Sequence, residues 1–253
     1  MIFNTCSGEG CLVLCSHMIS IVIPALNEEK LLPDCLNSLK KQNWKGDFEI
    51  VVVDNGSTDN TVSVAKAFKV DVVSCLKKGV AFARQAGAET ARGEIIVQVD
   101  ADTVYPSGWL ARIDTDFTKY KDSVAIAGRY VYSRPAIWAP LETVYRKYFN
   151  KLGILILGFP PAVSGANFAF RRQAFMVSGG YDPKSLNPDQ WGIAHRLRMF
   201  GHISYDHELV VVTSSRRVAK PFYIIFCEII RNCCHVFAHF IRHCARNFKK
   251  IIE

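Results

Sequence analysis

Short apolar runs alternate with segments of helical periodicity through the first half of the chain. Each run is continuous, rich in Val and Ile and bounded by turn residues, as is typical of a buried strand. Strands are predicted at residues 19–24, 48–53, 70–74 and 95–99. Between them, apolar residues recur at helical spacing, which predicts helices at residues 28–41, 61–68 and 79–90. The alternation predicts an α/β fold with a doubly wound, mostly parallel sheet and helices on both faces.

The pattern loosens after Tyr120. Further strands are predicted at residues 124–128, 167–170 and 209–213, and a further helix at 191–199. The apolar stretch Leu152–Val163 predicts an exposed loop or a short helix. These changes of pattern predict an N-terminal extension at 1–17, one α/β domain at 18–217 and an amphipathic helical tail at 218–253.

The composition is that of a globular protein. The 253 residues, of which 49% are hydrophobic and 21% charged, are enough for one sizeable domain and exclude disorder. No uninterrupted apolar run has the length of a membrane span, and the N-terminus lacks the basic region of a signal peptide. The cysteines form no CxxC pair and are typical of buried, reduced thiols, although Cys6, Cys11 and Cys15 leave a metal site open. We therefore expect a cytoplasmic protein.

Most of the net charge of +8 lies in the last 38 residues, because eight Lys and Arg residues but only two acids fall between Arg216 and Glu253. From Phe222 to Cys244, apolar residues follow helical spacing and basic residues occupy the other face. This pattern favours peripheral binding to an anionic membrane surface, at the inner face of the membrane. The alternative is that the apolar stripe packs on the domain or on a partner protein. No nucleic-acid partner is expected.

Polar side chains follow three of the predicted strands at their carboxyl ends. Asn27 and Glu28 follow the first strand, Asp54 the second, and the pair Asp100 and Asp102 the fourth. Ligands bind beyond the carboxyl ends of strands in open parallel sheets, so these residues indicate one site. Carboxylate pairs of this kind hold Mg²⁺ or Mn²⁺. A second acidic pair, Asp114 and Asp116, falls within a segment of helical periodicity and is predicted to lie on the solvated face of a helix.

Longer motifs give the chain a specific resemblance to a known family. They are IVIPALNEE (21–29), VVVDNGSTDNT (51–61), GVAFARQAGAETARGEIIVQVDADT (79–103), SGANFAFRRQAF (164–175) and GGYD (179–182). In this order and at these separations, they resemble glycosyltransferase family 2. The resemblance implies a catalytic domain of the GT-A fold. It also implies inverting transfer of a sugar from a nucleotide-diphosphate sugar, here to a glycan or lipid-linked acceptor.

The resemblance also implies roles for individual residues. Asp100 and Asp102 match the metal motif, and Asp54 matches an acid that hydrogen-bonds the nucleotide base, although a turn-capping role for Asp54 is the alternative. Arg84 matches a basic residue near the donor, with a surface arginine as the alternative. The implied donor-binding residues are Pro24, Ala25, Asn27, Glu28, Asp54, Arg84, Asp100, Gly165 and Asn167.

The catalytic base is the point at which the sequence departs from the family. The expected acidic pair falls on Asp189 and Gln190, and an amide cannot accept the proton of the acceptor hydroxyl. Asp189 is therefore the candidate base, with His195 or a weakened enzyme as alternatives. Two other functions stay open: a non-catalytic nucleotide-sugar binding protein, and a sugar nucleotidyltransferase. The latter normally needs a Gly-rich basic loop after the first strand, which PALNEEK is not.

Overall fold

The computed structural model describes residues 17–134, 139–182 and 190–217, together with Ile230. Asp189, the cysteine cluster and nearly all of the predicted tail therefore lie outside the described residues. None of the helices in the described ranges combines the length and the hydropathy that a bilayer-spanning segment requires.

The described strands form one eight-stranded sheet. They are β1 (Ile19–Ala25), β2 (Phe48–Asp54), β3 (Asp71–Ser74), β4 (Ile95–Gln98), β5 (Thr103–Val104), β6 (Ser123–Tyr132), β7 (Phe168–Arg171) and β8 (His202–Thr213). Their order is β3-β2-β1-β4-β7-β6-β8-β5. The pairs among β1 to β4 are parallel, as is β6 with β8, whereas β7 is antiparallel to both neighbours. The predicted mostly parallel sheet is confirmed.

Helices join most of the strands. They are α1 (Leu32–Lys40), α2 (Thr61–Ala67), α3 (Val80–Thr90), α4 (Trp109–Lys119), α5 (Ala139–Leu157), α6 (Arg172–Val177) and α7 (Gln190–Leu197). The interpretation of Leu152–Val163 as a loop or short helix was wrong, because its first half is the last part of the long helix α5. A short 3-10 turn, Ser215–Arg217, follows β8.

The sheet is buried on both faces, as its continuous apolar strands predict. Along β1, Ile21 and Ile23 belong to a core formed with α1 and α4, whereas Val22 points into the core formed with α3, α6 and α7. Side chains of successive strand residues point to opposite faces, so both faces of β1 need apolar residues. This arrangement confirms the predicted helices on both faces.

The expectation of a solvated face for the second acidic pair was wrong. Asp116 is only 6% exposed, and burial together with the neighbouring carboxylate of Asp206 raises its pKa to about 6. Asp206 in turn accepts a hydrogen bond from Nε of Arg112 at 2.5 Å. Asp114, on the same helix, bonds to the ring of His17 at 2.9 Å. The pair thus fixes α4 to its neighbours, and neither residue belongs to the described lining of the site below.

Candidate active site

Two connected spaces open at the carboxyl ends of β1, β2 and β4. The large cleft, of about 790 Å³, is lined by six of the predicted donor-binding residues: Pro24, Ala25, Asn27, Glu28, Arg84 and Asp100. The inner pocket, of about 120 Å³, is lined mostly by polar groups. The two spaces share three residues, Arg84, Asp100 and Asp102. The strand-end residues Asn27, Glu28, Asp100 and Asp102 thus line one pair of connected spaces, whereas Asp54 is not among the described lining residues of either.

One wall of the large cleft is built by two loops that hold each other. The backbone N–H of Asn27 donates to Oγ of Ser57 at 3.0 Å, and the N–H of Thr58 donates to Oδ1 of Asn27 at 2.8 Å. The N–H of Glu28 donates to Oγ1 of Thr61 at 2.8 Å. Asn27 has a φ of 56°, a left-handed conformation that asparagine tolerates better than most residues. Hydrogen bonds within the protein therefore hold the loop after β1 in shape.

Asn55, directly after β2, joins the segment after β3 to the end of β1, a role that the sequence pattern did not indicate. Its buried amide nitrogen donates to the carbonyls of Cys75 and Lys77 at 2.9 and 2.7 Å. Its amide oxygen accepts from the N–H of Gly79 at 2.8 Å, and its own N–H donates to the carbonyl of Ala25. The sequence signal was an asparagine directly after a buried strand, which by itself indicates only a turn.

Asp54 lies at the end of β2 and is only 8% exposed. Its carboxylate accepts the backbone N–H groups of Gly56 and Ser57 at 3.3 and 3.1 Å. These bonds shape the turn, as the capping alternative proposed. Contact between Asp54 and a nucleotide base stays a prediction.

Arg84 lies buried on α3 and faces the acidic pair. Only 3% of it is exposed, so the alternative of a surface arginine was wrong. Its Nη2 lies 2.8 Å from Oδ1 of Asp100. On the other side of Asp100, the backbone N–H donates to the hydroxyl of the buried Tyr105 at 3.1 Å. The first carboxylate of the pair is thus fixed from both its side chain and its backbone.

Gly165 gives the Arg84 guanidinium its space. A Cβ built at position 165 would overlap the guanidinium nitrogens of Arg84. Asn167 plays a different part, because its amide nitrogen donates to the carbonyls of Arg129 and Leu209, and its oxygen accepts from Nε1 of Trp109. Asn167 is not among the described residues that line either space, so its side chain supports the site from behind.

Asp102 and Glu28 share a guanidinium. Nη2 of Arg216, in the turn after β8, lies 2.9 Å from Oδ2 of Asp102 and 2.8 Å from Oε1 of Glu28. The hydrogen bond with Glu28, more than that with Asp102, raises the pKa of Arg216 further, so this side chain stays charged. In the sequence, Arg216 stands out only as one of the basic residues near the C-terminus, and no local pattern indicates this contact.

The inner pocket is completed by residues of β6 and α5 that the sequence analysis also missed. The hydroxyls of Tyr130 and Tyr132 each donate to the carboxylate of Glu142 at 3.0 Å. Nε of Arg146 donates to the same carboxylate at 2.9 Å, and its guanidinium lies 4.8 Å from the centre of the Tyr130 ring. Burial raises the pKa of Tyr130, so its hydroxyl stays protonated. Only the helical spacing of Glu142 and Arg146 gave a signal in the sequence.

The region of the predicted base is partly described. Asp189 lies outside the described residues, whereas Gln190 is 3% exposed and lines the inner pocket. The hydroxyl of Tyr181 lies 3.3 Å from the amide oxygen of Gln190. His195 stacks on Trp191, with ring centres 5.4 Å apart, and is not among the described residues that line either space. His195 therefore packs against a neighbouring aromatic ring, which gives no support to the alternative that it is the base.

The acidic residues of the site offer carboxylate oxygens, the ligands that a hard divalent cation prefers. Asp100, Asp102 and Glu28 supply carboxylate oxygens, and Oε2 of Glu28 is buried with no hydrogen bond to any described residue. Burial, then the charges of these three carboxylates, raises the pKa of the nearby Cys35 thiol, which marks a concentration of negative charge. In the described parts of the chain, however, three or more ligating side chains do not gather into a complete metal site. A cation would need further oxygens, such as those of a diphosphate.

The sequence itself matches a family model over most of this domain. The model described as glycosyl transferase family 2 matches residues 20–179, which is more than half of the chain. The chain belongs to glycosyltransferase family 2. The matched range contains the acidic pair, Arg84 and Gly165, whereas Gln190 and Arg216 lie beyond it.

Individual relatives agree with this membership. A PGL/p-HBAD biosynthesis glycosyltransferase of Mycobacterium bovis is 34% identical over 122 residues, which cover 46% of this chain and 47% of the relative. The glycosyltransferase GlyG of Streptococcus pneumoniae is 33% identical over 121 residues, covering 46% of this chain and 40% of the relative. This chain thus spans about half, or less, of the length of these curated relatives.

A solved structure agrees with the fold. The mannosyltransferase PcManGT of Pyrobaculum calidifontis, in complex with GDP-Man and Mn²⁺, superposes with a TM-score of 0.67 at 22% identity. The match covers 89% of this chain and 64% of that one. The GT-A fold that the sequence resemblance implied is confirmed.

Proposed function

We propose that this chain is an inverting glycosyltransferase that moves a sugar from a nucleoside-diphosphate donor to a hydroxyl of a glycan or lipid-linked acceptor. The observation that carries the proposal is the position of Asp100 and Asp102, which line both the large cleft and the inner pocket. A diphosphate bound between the two spaces would leave the nucleoside in the large cleft and the sugar in the inner pocket. Family membership and a neighbour solved with GDP-Man support this donor class.

The donor-binding wall would be the pair of loops after β1 and β2. Pro24, Ala25, Asn27 and Glu28 would line the base and the ribose. Asp54 accepts two backbone N–H groups, but a carboxylate has about four acceptor positions, so it retains capacity for a donor group of the base. Base recognition by Asp54 is thus compatible with its role in shaping the turn.

In the reaction, an acceptor hydroxyl oxygen forms a bond to the anomeric carbon while the bond from that carbon to the diphosphate oxygen breaks. The bonding electrons leave with the nucleoside diphosphate, and Asp189 would take the hydroxyl proton. Arg84, buried beside Asp100, would oppose the negative charge that develops on the leaving group. A fixed guanidinium in a site of low exposure needs little reorganisation as that charge appears.

Asp100 and Asp102 would hold Mg²⁺ or Mn²⁺ together with the diphosphate oxygens. Glu28 pairs with the same Arg216 guanidinium as Asp102, so its charge also acts on this position. When bound, the cation would supply additional positive charge to the leaving diphosphate. Such a cation would reduce the repulsion between these carboxylates and the diphosphate, to which Arg84 and Arg216 already supply opposing charge.

The cellular setting is also part of the proposal. The basic, amphipathic sequence 218–253 would hold the protein at the cytoplasmic face of an anionic membrane. Such a position brings the inner pocket close to lipid-linked acceptors. The tail lies outside the described residues except for Ile230, so its amino-acid pattern alone supports this part of the proposal.

One observation favours a second candidate, a non-catalytic nucleotide-sugar binding protein: the amide of Gln190 lines the inner pocket where the family usually has an acid. The two candidates differ in turnover. The full chain, incubated with a panel of nucleotide sugars and Mn²⁺ or Mg²⁺, should release nucleoside diphosphate. Binding of a nucleotide sugar without release would support the non-catalytic alternative, and pyrophosphate release or consumption would instead indicate a nucleotidyltransferase.

A further inference from the structure

A third space, which we call the basic pocket, adjoins the inner pocket. It has a volume of about 180 Å³ and shares Tyr130, Arg146 and Ser164 with the inner pocket. It shares no described lining residue with the large cleft. The basic pocket therefore reaches the sugar position from a side that the nucleotide does not use.

The charged side chains that line the basic pocket are all cationic. They are Arg129, Arg146 and Lys147, and no carboxylate belongs to the described lining. Within the described ranges, Arg129 and Lys147 form no ion pair, whereas Arg84 and Arg216, the arginines that line the large cleft, both do. Glu142 offsets one charge, because its carboxylate bonds to Arg146. Two positive charges thus face this concave space without a compensating acid nearby.

Two of these cations are held in place before any ligand arrives. Nε of Arg129 donates to the carbonyl of His207 at 2.7 Å, and the Arg146 guanidinium rests on the Tyr130 ring while bonded to Glu142. A planar guanidinium with a fixed orientation is suited to bidentate binding of phosphate oxygens. The hydroxyls of Tyr205 and Ser164 in the same lining provide neutral donors.

We infer that the basic pocket binds a phosphate group carried by the acceptor, on the side of the inner pocket opposite the donor diphosphate. A phosphate monoester carries a charge of about −1.5 to −2 at neutral pH, which matches the uncompensated positive charge of the pocket. A neutral glycan would gain nothing from that charge. The inference rests on the proposed transferase function, because it takes this entrance as the acceptor side.

The test measures binding of three phosphate probes to the full chain by titration calorimetry: inorganic phosphate, a sugar monophosphate and a short prenyl monophosphate. Uridine diphosphate or guanosine diphosphate with Mn²⁺ is present in excess to fill the large cleft. Lys147→Glu and Arg129→Met alter the basic pocket at exposed or half-buried positions, and Lys78→Glu is the matched control in the large cleft. Circular dichroism checks that all three variants are folded.

We expect each basic-pocket variant to weaken binding of the phosphate probes by tenfold or more, and Lys78→Glu to leave it unchanged. The sugar monophosphate and the prenyl monophosphate differ in the group that is attached to the phosphate. The probe that binds more tightly therefore identifies whether the acceptor phosphate is joined to a sugar or to a lipid. Unchanged probe binding in both basic-pocket variants would overturn the inference, as would a loss found only in Lys78→Glu. Failure of the proposed function is distinguishable, since it appears as absent nucleotide binding while phosphate binding at the basic pocket persists.

Discussion

Arg216 and Asp102 lie 2.9 Å apart between side-chain nitrogen and oxygen, although 114 positions separate them in the sequence. The same nitrogen contacts Glu28, and both carboxylates line the large cleft. A cation that approaches Asp102 must therefore compete with a guanidinium that the protein itself supplies.

Arg216→Ala should strengthen binding of Mn²⁺ to the donor-free protein, because the competing cation is removed. Arg216 is half exposed, and ion pairs of that kind contribute about 0.2–1 kcal/mol, so the expected gain is roughly twofold to fivefold. Calorimetric titration with Mn²⁺ measures it. Arg92→Ala is the matched control, since Arg92 also pairs with two carboxylates, Glu49 and Asp71, away from the cleft. Equal or weaker Mn²⁺ binding in Arg216→Ala would contradict the competition.

Asp102→Asn should lower transfer by roughly a hundredfold to a thousandfold, because the metal and the leaving diphosphate lose one charged oxygen. Release of nucleoside diphosphate from the donor, with and without a chelator, measures the effect. Asp116→Asn removes the carboxylate of the second acidic pair, away from both spaces, and should retain transfer. Full activity of Asp102→Asn, or activity of the parent in excess chelator, would exclude a metal role.

Gly165→Ala should displace the Arg84 guanidinium, since a methyl group at this position would overlap it. Overpacking of this kind costs about 1–3 kcal/mol, and transfer should fall because Arg84 no longer faces Asp100 correctly. Gly108→Ala is the control, because a Cβ there meets nothing within 4 Å and its φ of −91° suits alanine. Thermal unfolding and donor turnover are measured for both variants. If they behave alike, Gly165 does not control Arg84.

Asp189→Asn should abolish transfer while leaving donor binding intact, if Asp189 takes the proton of the acceptor. The rate of the parent should fall at acid pH as the base is protonated, and residual activity of the variant should lack that fall. The pH–rate profiles of both proteins check this. Gln190→Asp restores the family acid in the inner pocket, and a faster rate in that variant would indicate a chain with reduced activity. Parent-like transfer by Asp189→Asn would place the base elsewhere.

Deprotonation of Asp116 should lower the free energy of unfolding as the pH rises. Its pKa in the folded protein, about 6, lies above the ordinary value of 3.8, so the folded state holds the proton more tightly than the unfolded state. The corresponding stability is present below about pH 4 and is lost as the pH rises through about 6. Asp116→Asn should remove this loss.

Thermal unfolding at pH 5 and pH 7.5 measures the difference between Asp116→Asn and the parent. The variant should gain relative stability toward pH 7.5, by at most about 1.4 kcal/mol, because only about one pKa unit separates pH 5 from the folded-state pKa of about 6. Asp34→Asn, at an exposed position of α1, should show the same small difference at both pH values. If the stability difference between Asp116→Asn and the parent is the same at both pH values, the raised pKa of Asp116 is contradicted.

The parts of the fold that the sequence predicted are those encoded by local pattern. The strands β1, β2 and β4 are apolar on both faces, and Asp100 and Asp102 follow directly after one of them, so topology alone brings them to the cleft. The burial of Asp116 was not predictable in this way. It depends on Asp206 of β8, and no local periodicity carries information about a partner so distant in the chain.

The same reason explains the site residues that were missed. Tyr130, Arg146 and Arg216 belong to segments with an irregular pattern, and each contributes through a contact made only in three dimensions. Asn55 was visible as a polar residue after a strand, but its role in joining the segment after β3 to the end of β1 is a property of their packing. Residues that act through distant partners need the structure.

Asn55 has a consequence for how a nucleotide would meet this protein. Its buried side-chain amide ties the loop after β2 to the segment after β3, and its backbone N–H ties both to the end of β1, so this wall of the large cleft is held together by bonds within the protein. A ligand would then bind a preorganised surface and would lose little affinity to loop ordering. Association should accordingly be a single fast step, and mutation of Asn55 should slow it by introducing a conformational rearrangement before binding.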